Sequence, residues 1–422
     1  MPPMAAMKYD WTRWRVVPLL MGITFVSHLN RVSMSVAGDE RIMDQFAISP
    51  IRMGMVYSAF LFAYTLCMTP VGVFADRFGV WLALGLMAMG TAVFGALTGL
   101  LGLGLVAGGQ MWIALLVVRS IMGGLNAPLH PSSARTVANW IPTGQRGAAN
   151  GLAVSAAALG IASTYYVFGA LIDWVDWPAA FLITGGVTAC LGILWIALAG
   201  DSPTARRVSP ATTQKTEQGP TSSDWSRLIR KPGLALLTLS YAAVNYFEYL
   251  FFYWMLYYFG SVLGLGSDTS RLYSTIVGLA MAVGMLSGGF ITDRLERIMG
   301  HRRGRVAVPI TGMITGAVML GVGVLARDPI WVVLWFSLAL GSVTAAEAAF
   351  WTTAIELGGR KGTTAAGILN TGGNVGGMAA PVVTPWVGTL FGWQWALALG
   401  ALVAVLGALQ WRWIVPKRES QS

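Results

Sequence analysis

The chain has 422 residues, of which 55 % are hydrophobic and 11 % charged, with a formal net charge of +10. Soluble domains carry about 25 % charged residues, so this composition excludes a cytosolic enzyme and a disordered chain and marks a membrane protein. The apolar stretches run on without the alternation that barrel strands need, which excludes a β-barrel. The positive charge reads as the excess of Lys and Arg on cytoplasmic loops rather than as a nucleic-acid surface.

A helix needs about 20 apolar residues to cross a bilayer. Residues 1–15 are polar and basic, and the apolar run after them is long enough to span, so no cleaved signal peptide is expected. Spans are predicted at 16–37, 53–74, 81–105, 111–133, 148–172, 178–199, 233–259, 273–292, 306–326, 330–354, 363–391 and 394–415. Loops are short except 200–232, which carries Pro203, Pro210, Pro220 and six Lys or Arg. It reads as a polar connector, dividing the chain into an N-terminal half, 1–199, and a C-terminal half, 233–422. Cys67 and Cys190 lie in apolar stretches and are expected as small core residues, with no disulfide, metal or cofactor site. With a cytoplasmic N-terminus, 22 of the 28 Lys and Arg fall on the cytoplasmic side. Both termini are therefore expected inside the cell.

The two halves echo each other. Gly72-Val-Phe-Ala-Asp76-Arg77 follows the second span and Gly289-Phe-Ile-Thr-Asp293-Arg294 the eighth, at an offset of 217. Gly151 and Gly160 of the fifth span match Gly367 and Gly376 of the eleventh at an offset of 216. Two features at nearly one offset indicate a duplicated six-helix unit. In each GxxxDR, glycine would permit close helix approach, while Asp and Arg would latch a neighbouring helix end or loop. A plain polar helix terminus is the alternative. Gly284-xxx-Gly288, Gly147-xxx-Gly151 and Gly372, Gly373, Gly376 and Gly377 are read either as sliding surfaces or as static tight packing.

Only Arg31, Arg119, Glu248 and Glu347 put a charge well inside a span. A charge at the bilayer centre costs at least about 2.5 kcal/mol, so each needs a partner, a wet cavity or a function. Arg31 and Arg119 are expected at matching depth, about 10–12 Å below the outer surface at 1.5 Å per residue. Two guanidiniums there suit an anion. Snorkelling of Arg31 towards Asp39, Glu40 and Asp44, and a structural pair for Arg119, are the competing accounts. Burial favours the neutral form of a carboxyl, so Glu248 and Glu347 are candidate proton carriers, or else structural acids. Glu356 is expected to pair with Arg360 or Lys361. Tyr64, Asn245, Tyr246, Tyr249, Tyr253, Trp254 and Trp351 could stack on or bond a polar substrate. Asn370 and Asn374 share one helix face.

These residues resemble the anion:cation symporter group of the major facilitator superfamily, which includes hexuronate, galactonate and glucarate permeases and the sialic acid and vesicular glutamate transporters. The resemblance rests on Leu29-Asn30-Arg31, Ser58-Ala-Phe60 with Tyr64, Pro70, Gly72, Asp76-Arg77-Phe-Gly79, Arg119, Gly123 and Ala127-Pro128. It implies an all-α fold of twelve transmembrane helices in two pseudo-symmetric halves. It also implies alternating-access transport of a small organic anion, a carboxylate or sugar acid, with Arg31, Arg119, Tyr64 and Asn370 or Asn374 at the substrate. Two positions depart from the group: Asn30 and Asn126 stand where it carries proton-binding acids. An amide cannot titrate. Coupling would then fall to Glu248, Glu347 or His28, an imidazole three residues from Arg31. The alternatives are an uncoupled uniporter, an anion exchanger, or an efflux or lipid carrier. A monomer in a bacterial inner membrane is expected. HExxH and GxSxG signatures are missing from the sequence, which weighs against an intramembrane enzyme.

Overall fold

A computed structural model describes residues 11–142, 145–200 and 228–414, apart from the side chains of residues 11, 12 and 360. Ten helices are long and apolar enough to cross a membrane. One of them, Arg146–Leu198, is a helical hairpin, broken where Asp176 takes a φ of 63°. A further helix, Gly362–Phe391, is rich in Gly and Pro and completes the twelve. In chain order these are α1 (Val16–Ala37), α2 (Pro50–Phe78), α3 (Val80–Leu100), α4 (Met111–Asn126 and Leu129–Trp140), α5 (146–175), α6 (177–198), α7 (Pro232–Tyr257), α8 (Ser267–Met299), α9 (His301–Leu325), α10 (Pro329–Thr344 and Glu347–Gly358), α11 (Gly362–Phe391) and α12 (Trp393–Gln410). Helices satisfy every backbone group within their own segment, which hydrocarbon demands.

Turns end these helices by local chemistry. At Asp176 the side chain accepts from the Trp177 backbone N–H at 2.7 Å, and Pro178 opens α6. Gly79 and Gly300 sit at φ 92° and 82° between α2 and α3 and between α8 and α9. A side chain would strain both turns. Several helices outrun their predicted limits: α2 extends to Phe78, and α4 and α10 continue to Trp140 and Gly358. Their polar ends project past the apolar window that sets the sequence estimate. α4 breaks at Ala127–Pro128 and α10 at Ala345–Ala346, 218 residues apart, close to the motif offset.

Packing repeats between the halves. Within the first, α1 packs on α5 and α6, α2 on α4, and α3 on α6; within the second, α7 packs on α11, α8 on α10, and α9 on α12. The small-residue stripes of the second half make tight contacts within it. A Cβ on Gly284 or Gly288 would overlap carbonyls of α10, and one on Gly376 a carbonyl of α7. Gly147 and Gly151 meet nothing within 4 Å, so this pair packs no helix here. Cys190 is exposed on α6 rather than in the core, and Cys67 is half-buried. The connector lies outside the described residues over 201–227.

Contacts between the halves concentrate away from the face where α1 begins and α12 ends. At the far face Arg271 of α8 is 2 % exposed and grips Glu40 with two bonds, at 2.6 and 2.7 Å. It also pairs with Asp173 at the end of α5. One turn deeper, Ser58 of α2 donates to the Met378 carbonyl of α11 at 2.7 Å, and a Cβ on Gly54 would overlap the Pro381 carbonyl. The far face is thus sealed. Overpacking costs about 1–3 kcal/mol. Gly54→Val is therefore expected to raise labelling of a Ser58→Cys reporter from the far face roughly tenfold. The assay uses a bulky thiol reagent and a background with Cys67 and Cys190 replaced.

Candidate functional site

Arg31 and Arg119 both lie against the Phe60 ring, between α1, α2, α4 and α7. The Arg31 guanidinium donates to the Tyr249 hydroxyl and lies over three rings: Tyr249 at 4.9 Å, Phe60 at 5.6 Å and Tyr64 at 5.7 Å. It does not reach for the acidic turn after α1, whose Glu40 is occupied by Arg271. Aromatic faces hold the cation in place without neutralising it.

Arg119 has a different role. It is 2 % exposed, and its Nη2 donates to the carbonyls of Asn30 and Arg31, both at 3.0 Å. Its Nη1 points to the Met122 sulfur at 3.3 Å, and its guanidinium lies 5.4 Å from the Phe60 ring centre. Gly123 makes this possible, since a Cβ there would overlap the Phe60 carbonyl and push α2 from α4. Arg119 fastens the α1 backbone that carries Arg31. Lys is shorter and has no planar guanidinium, so it loses the Nη1 contact to Met122 and the packing on Phe60. Arg119→Lys is expected to lower stability by about 1–3 kcal/mol, read as a lower melting temperature of the purified protein.

The two asparagines point into the first half. Asn30 Nδ2 donates to Thr188 of α6 at 2.8 Å. Asn126 exchanges bonds with Ser27 at 2.8 and 3.1 Å and reaches Thr91 at 3.3 Å. His28 is buried, bonds the Thr24 carbonyl at 2.8 Å, and meets the His130 ring edge-on at 5.2 Å. These three therefore pack beside the arginines rather than across from them.

The acids come from the second half. Glu248, one residue before Tyr249 on α7, is 6 % exposed, and its Oε1 has no hydrogen-bond partner. Glu347 opens the second segment of α10. Its Oε1 accepts from the Tyr241 hydroxyl at 2.5 Å and from Trp351 Nε1 at 2.8 Å, while Oε2 is buried without a partner. Glu248 lies within electrostatic reach of both Glu347 and Arg31. Asn245 bonds the Tyr241 carbonyl at 3.0 Å; Asn374 bonds that of Asn370 at 2.8 Å, and both α11 amides approach Met68 at 3.9 Å. Gly373 and Gly377 leave room for the Tyr241 and Tyr249 rings, at 2.6 and 3.1 Å from where a Cβ would stand. Sequence reasoning missed Tyr241. Its signal was there: it precedes Glu248 by seven residues, two turns along one helix face.

The residues of the two GxxxDR motifs lie at the opposite end from the seal. Asp76 pairs with Arg135 of α4, and the Arg77 guanidinium lies 5.3 Å from the Phe78 ring centre. Gly72 has nothing within 4 Å, and Gly289 only Ala348 at 3.9 Å, so neither glycine makes the expected close approach. Asp293 instead borders a hollow of about 440 Å³ with Glu296 and His301, and Arg294 is exposed beside it. Glu356 pairs with Arg305, and with His301 at 3.3 Å, because the start of α9 crosses the end of α10; the Arg360 side chain, one of its expected partners, lies outside the described residues. Arg305 also binds Glu296 at 2.5 Å.

A twelve-helix bundle with a polar centre, sealed at one face, is the architecture of a membrane carrier. The chain belongs to the Major Facilitator Superfamily, whose pattern matches residues 20–363. It is 26 % identical over 384 residues to a protein described as "Probable sulfoacetate transporter" from Cupriavidus necator, covering 88 % of this chain and 86 % of that one. It is 25 % identical to the D-galactonate transporter of Escherichia coli, covering 97 % of both. Among solved structures, a bacterial homologue of the lysosomal transporter Spinster, inward-facing and unoccupied, aligns with a TM-score of 0.80 at 16 % identity. That alignment covers 97 % of this chain and 98 % of the other. A D-xylose-proton symporter aligns at 0.73 and 16 % identity over the same shares. The protein is a multi-pass membrane transporter and not an enzyme.

Proposed function

We propose that this transporter moves small organic anions, sugar acids among them, by proton-coupled alternating access. One observation carries the reading: Arg31, ringed by aromatic faces, stands across the halves from two carboxyls that keep unpartnered oxygens. The substrate carboxylate binds Arg31. Tyr64, Asn245, Asn370 and Asn374 serve its hydroxyls. With both acids ionised, two guanidiniums and two carboxylates balance before substrate arrives, so an anion brings one uncompensated charge into a low-dielectric site. A proton on Glu248 or Glu347 removes it, which links the two fluxes. The names of the sulfoacetate and galactonate relatives agree with an anionic substrate.

In this reading the halves 1–199 and 233–422 rock about the connector 200–232 as a monomer. The open face is cytoplasmic, following the Lys and Arg bias, in a bacterial inner membrane. A closing movement brings the Gly72-Asp76-Arg77 and Gly289-Asp293-Arg294 ends together. A second reading, uncoupled or exchange transport, is favoured by Asn30 and Asn126, which sit in neutral amide–hydroxyl networks where no proton can be carried. Uptake of labelled D-gluconate, D-galactonate and D-glucuronate into liposomes decides between them. Accumulation driven by an inward proton gradient supports symport. Uptake that only equilibrates, or that needs anion inside, supports the second reading. No uptake of any of the three sinks the sugar-acid assignment.

A further inference from the structure

We propose that the site selects singly charged hydroxy acids and rejects diacids, with Glu248 and Glu347 acting as the charge filter at the end of the substrate remote from Arg31. This filter rests on the anion reading and narrows its substrate class.

Uncommitted positive charge is scarce in the bundle. Of the described arginines that are fully buried, Arg119 spends its Nη2 on two backbone carbonyls and its Nη1 on a sulfur. Arg271 is committed to Glu40 and Asp173 at the seal. Among the described residues there, only Arg31 holds its cation against rings and a hydroxyl with no carboxylate on it. The site therefore has one place for a carboxylate. Across from it the second half contributes no Lys or Arg deep within a span, and instead offers two acids. Glu248 Oε1 and Glu347 Oε2 are buried acceptors without donors. Such atoms cost free energy until a donor reaches them. A terminal hydroxyl of the substrate is a donor of the right kind. A second carboxylate in the same place supplies no donor, and with one coupled proton between the two acids it still meets the charge of the other, the usual means of rejecting a near-isostere. The Tyr241 hydroxyl and Trp351 N–H hold Glu347 in position but leave its Oε2 for the ligand.

The test compares acids of equal carbon number that differ only in the far group: glycerate with tartronate, threonate with tartrate, and gluconate with glucarate. Binding to the purified full-length protein is read from quenching of its tryptophan fluorescence at neutral pH, with thermal stabilisation as a second readout. Among pairs that bind, each monoacid is expected to bind at least about tenfold more tightly than its diacid. Glu248→Gln and Glu347→Gln supply amide donors, so each should narrow that ratio severalfold, chiefly by improving the diacid. Equal or tighter diacid binding by the unaltered protein overturns the filter while leaving anion binding intact. An unchanged ratio in both variants, with their melting temperatures preserved, also overturns it. Failure of all six acids to bind overturns the underlying anion assignment itself.

Discussion

Arg31→Gln is expected to abolish substrate-driven uptake while the protein still folds. Removing one partner of a desolvated charge pair costs about 2–5 kcal/mol, and each 1.4 kcal/mol is tenfold. Uptake of D-galactonate at subsaturating concentration is therefore expected to fall by roughly a hundredfold or more. Arg31→Lys should rescue little of it. Lys keeps the charge but cannot offer a planar fork to a carboxylate, and it stacks less well on Phe60, Tyr64 and Tyr249. The variants should keep their melting temperatures within a few degrees, because the Arg31 hydrogen bond, to Tyr249, runs between the halves and ties no helices of the first half together. A melting temperature that collapses, or uptake that survives, would place the anion elsewhere.

Replacing the acids has the second large effect, and it is different in kind. With Glu248→Gln and Glu347→Gln combined, a proton gradient is expected to lose its hold on the substrate. One pH unit stores about 1.4 kcal/mol per proton, enough for roughly tenfold accumulation at one proton per anion. The double variant should bring the inside-to-outside ratio down to about one. Exchange of labelled for unlabelled anion should continue, since exchange needs no net proton movement. The single variants rank the two acids. Glu248 has no hydrogen bond on Oε1, and Glu347 is already held by Tyr241 and Trp351. The geometry therefore assigns Glu248 the larger effect. If both exchange and accumulation persist in the double variant, the proton travels by another route, with His28 beside His130 as the next group to replace.

Most of the fold was legible because the bilayer imposes a simple rule on sequence. Long apolar runs, short polar breaks and an offset repeat of GxxxDR define twelve spans in two halves. One span, Gly362–Phe391, is not among the ten apolar candidates, yet its glycines bring α7 close and its asparagines meet Met68 of the other half. The in-span charges were equally legible, because hydrocarbon makes each one conspicuous. What each charge does was not. Arg31 and Arg119 look alike in sequence, yet one faces rings and the other holds two carbonyls. That difference depends on Gly123 and the approach of α2 to α4, a tertiary fact. The tight packing of Gly284 and Gly288, the pairing of Glu356 with Arg305, and the seal formed by Arg271 also arise from contacts far apart in the chain. No local spacing encodes them.

If anion and proton cross together through one site, proton movement reports it most directly. Liposomes containing the protein, clamped electrically and lightly buffered, would receive D-galactonate outside with no gradient imposed. External pH would be followed during uptake of the labelled anion. Coupled transport predicts alkalinisation in step with uptake, at about one proton per singly charged anion by the charge balance of two guanidiniums and two carboxyls, and lost in the Glu248→Gln, Glu347→Gln double variant. Uptake of the anion with no accompanying pH change would contradict coupling and establish an uncoupled carrier.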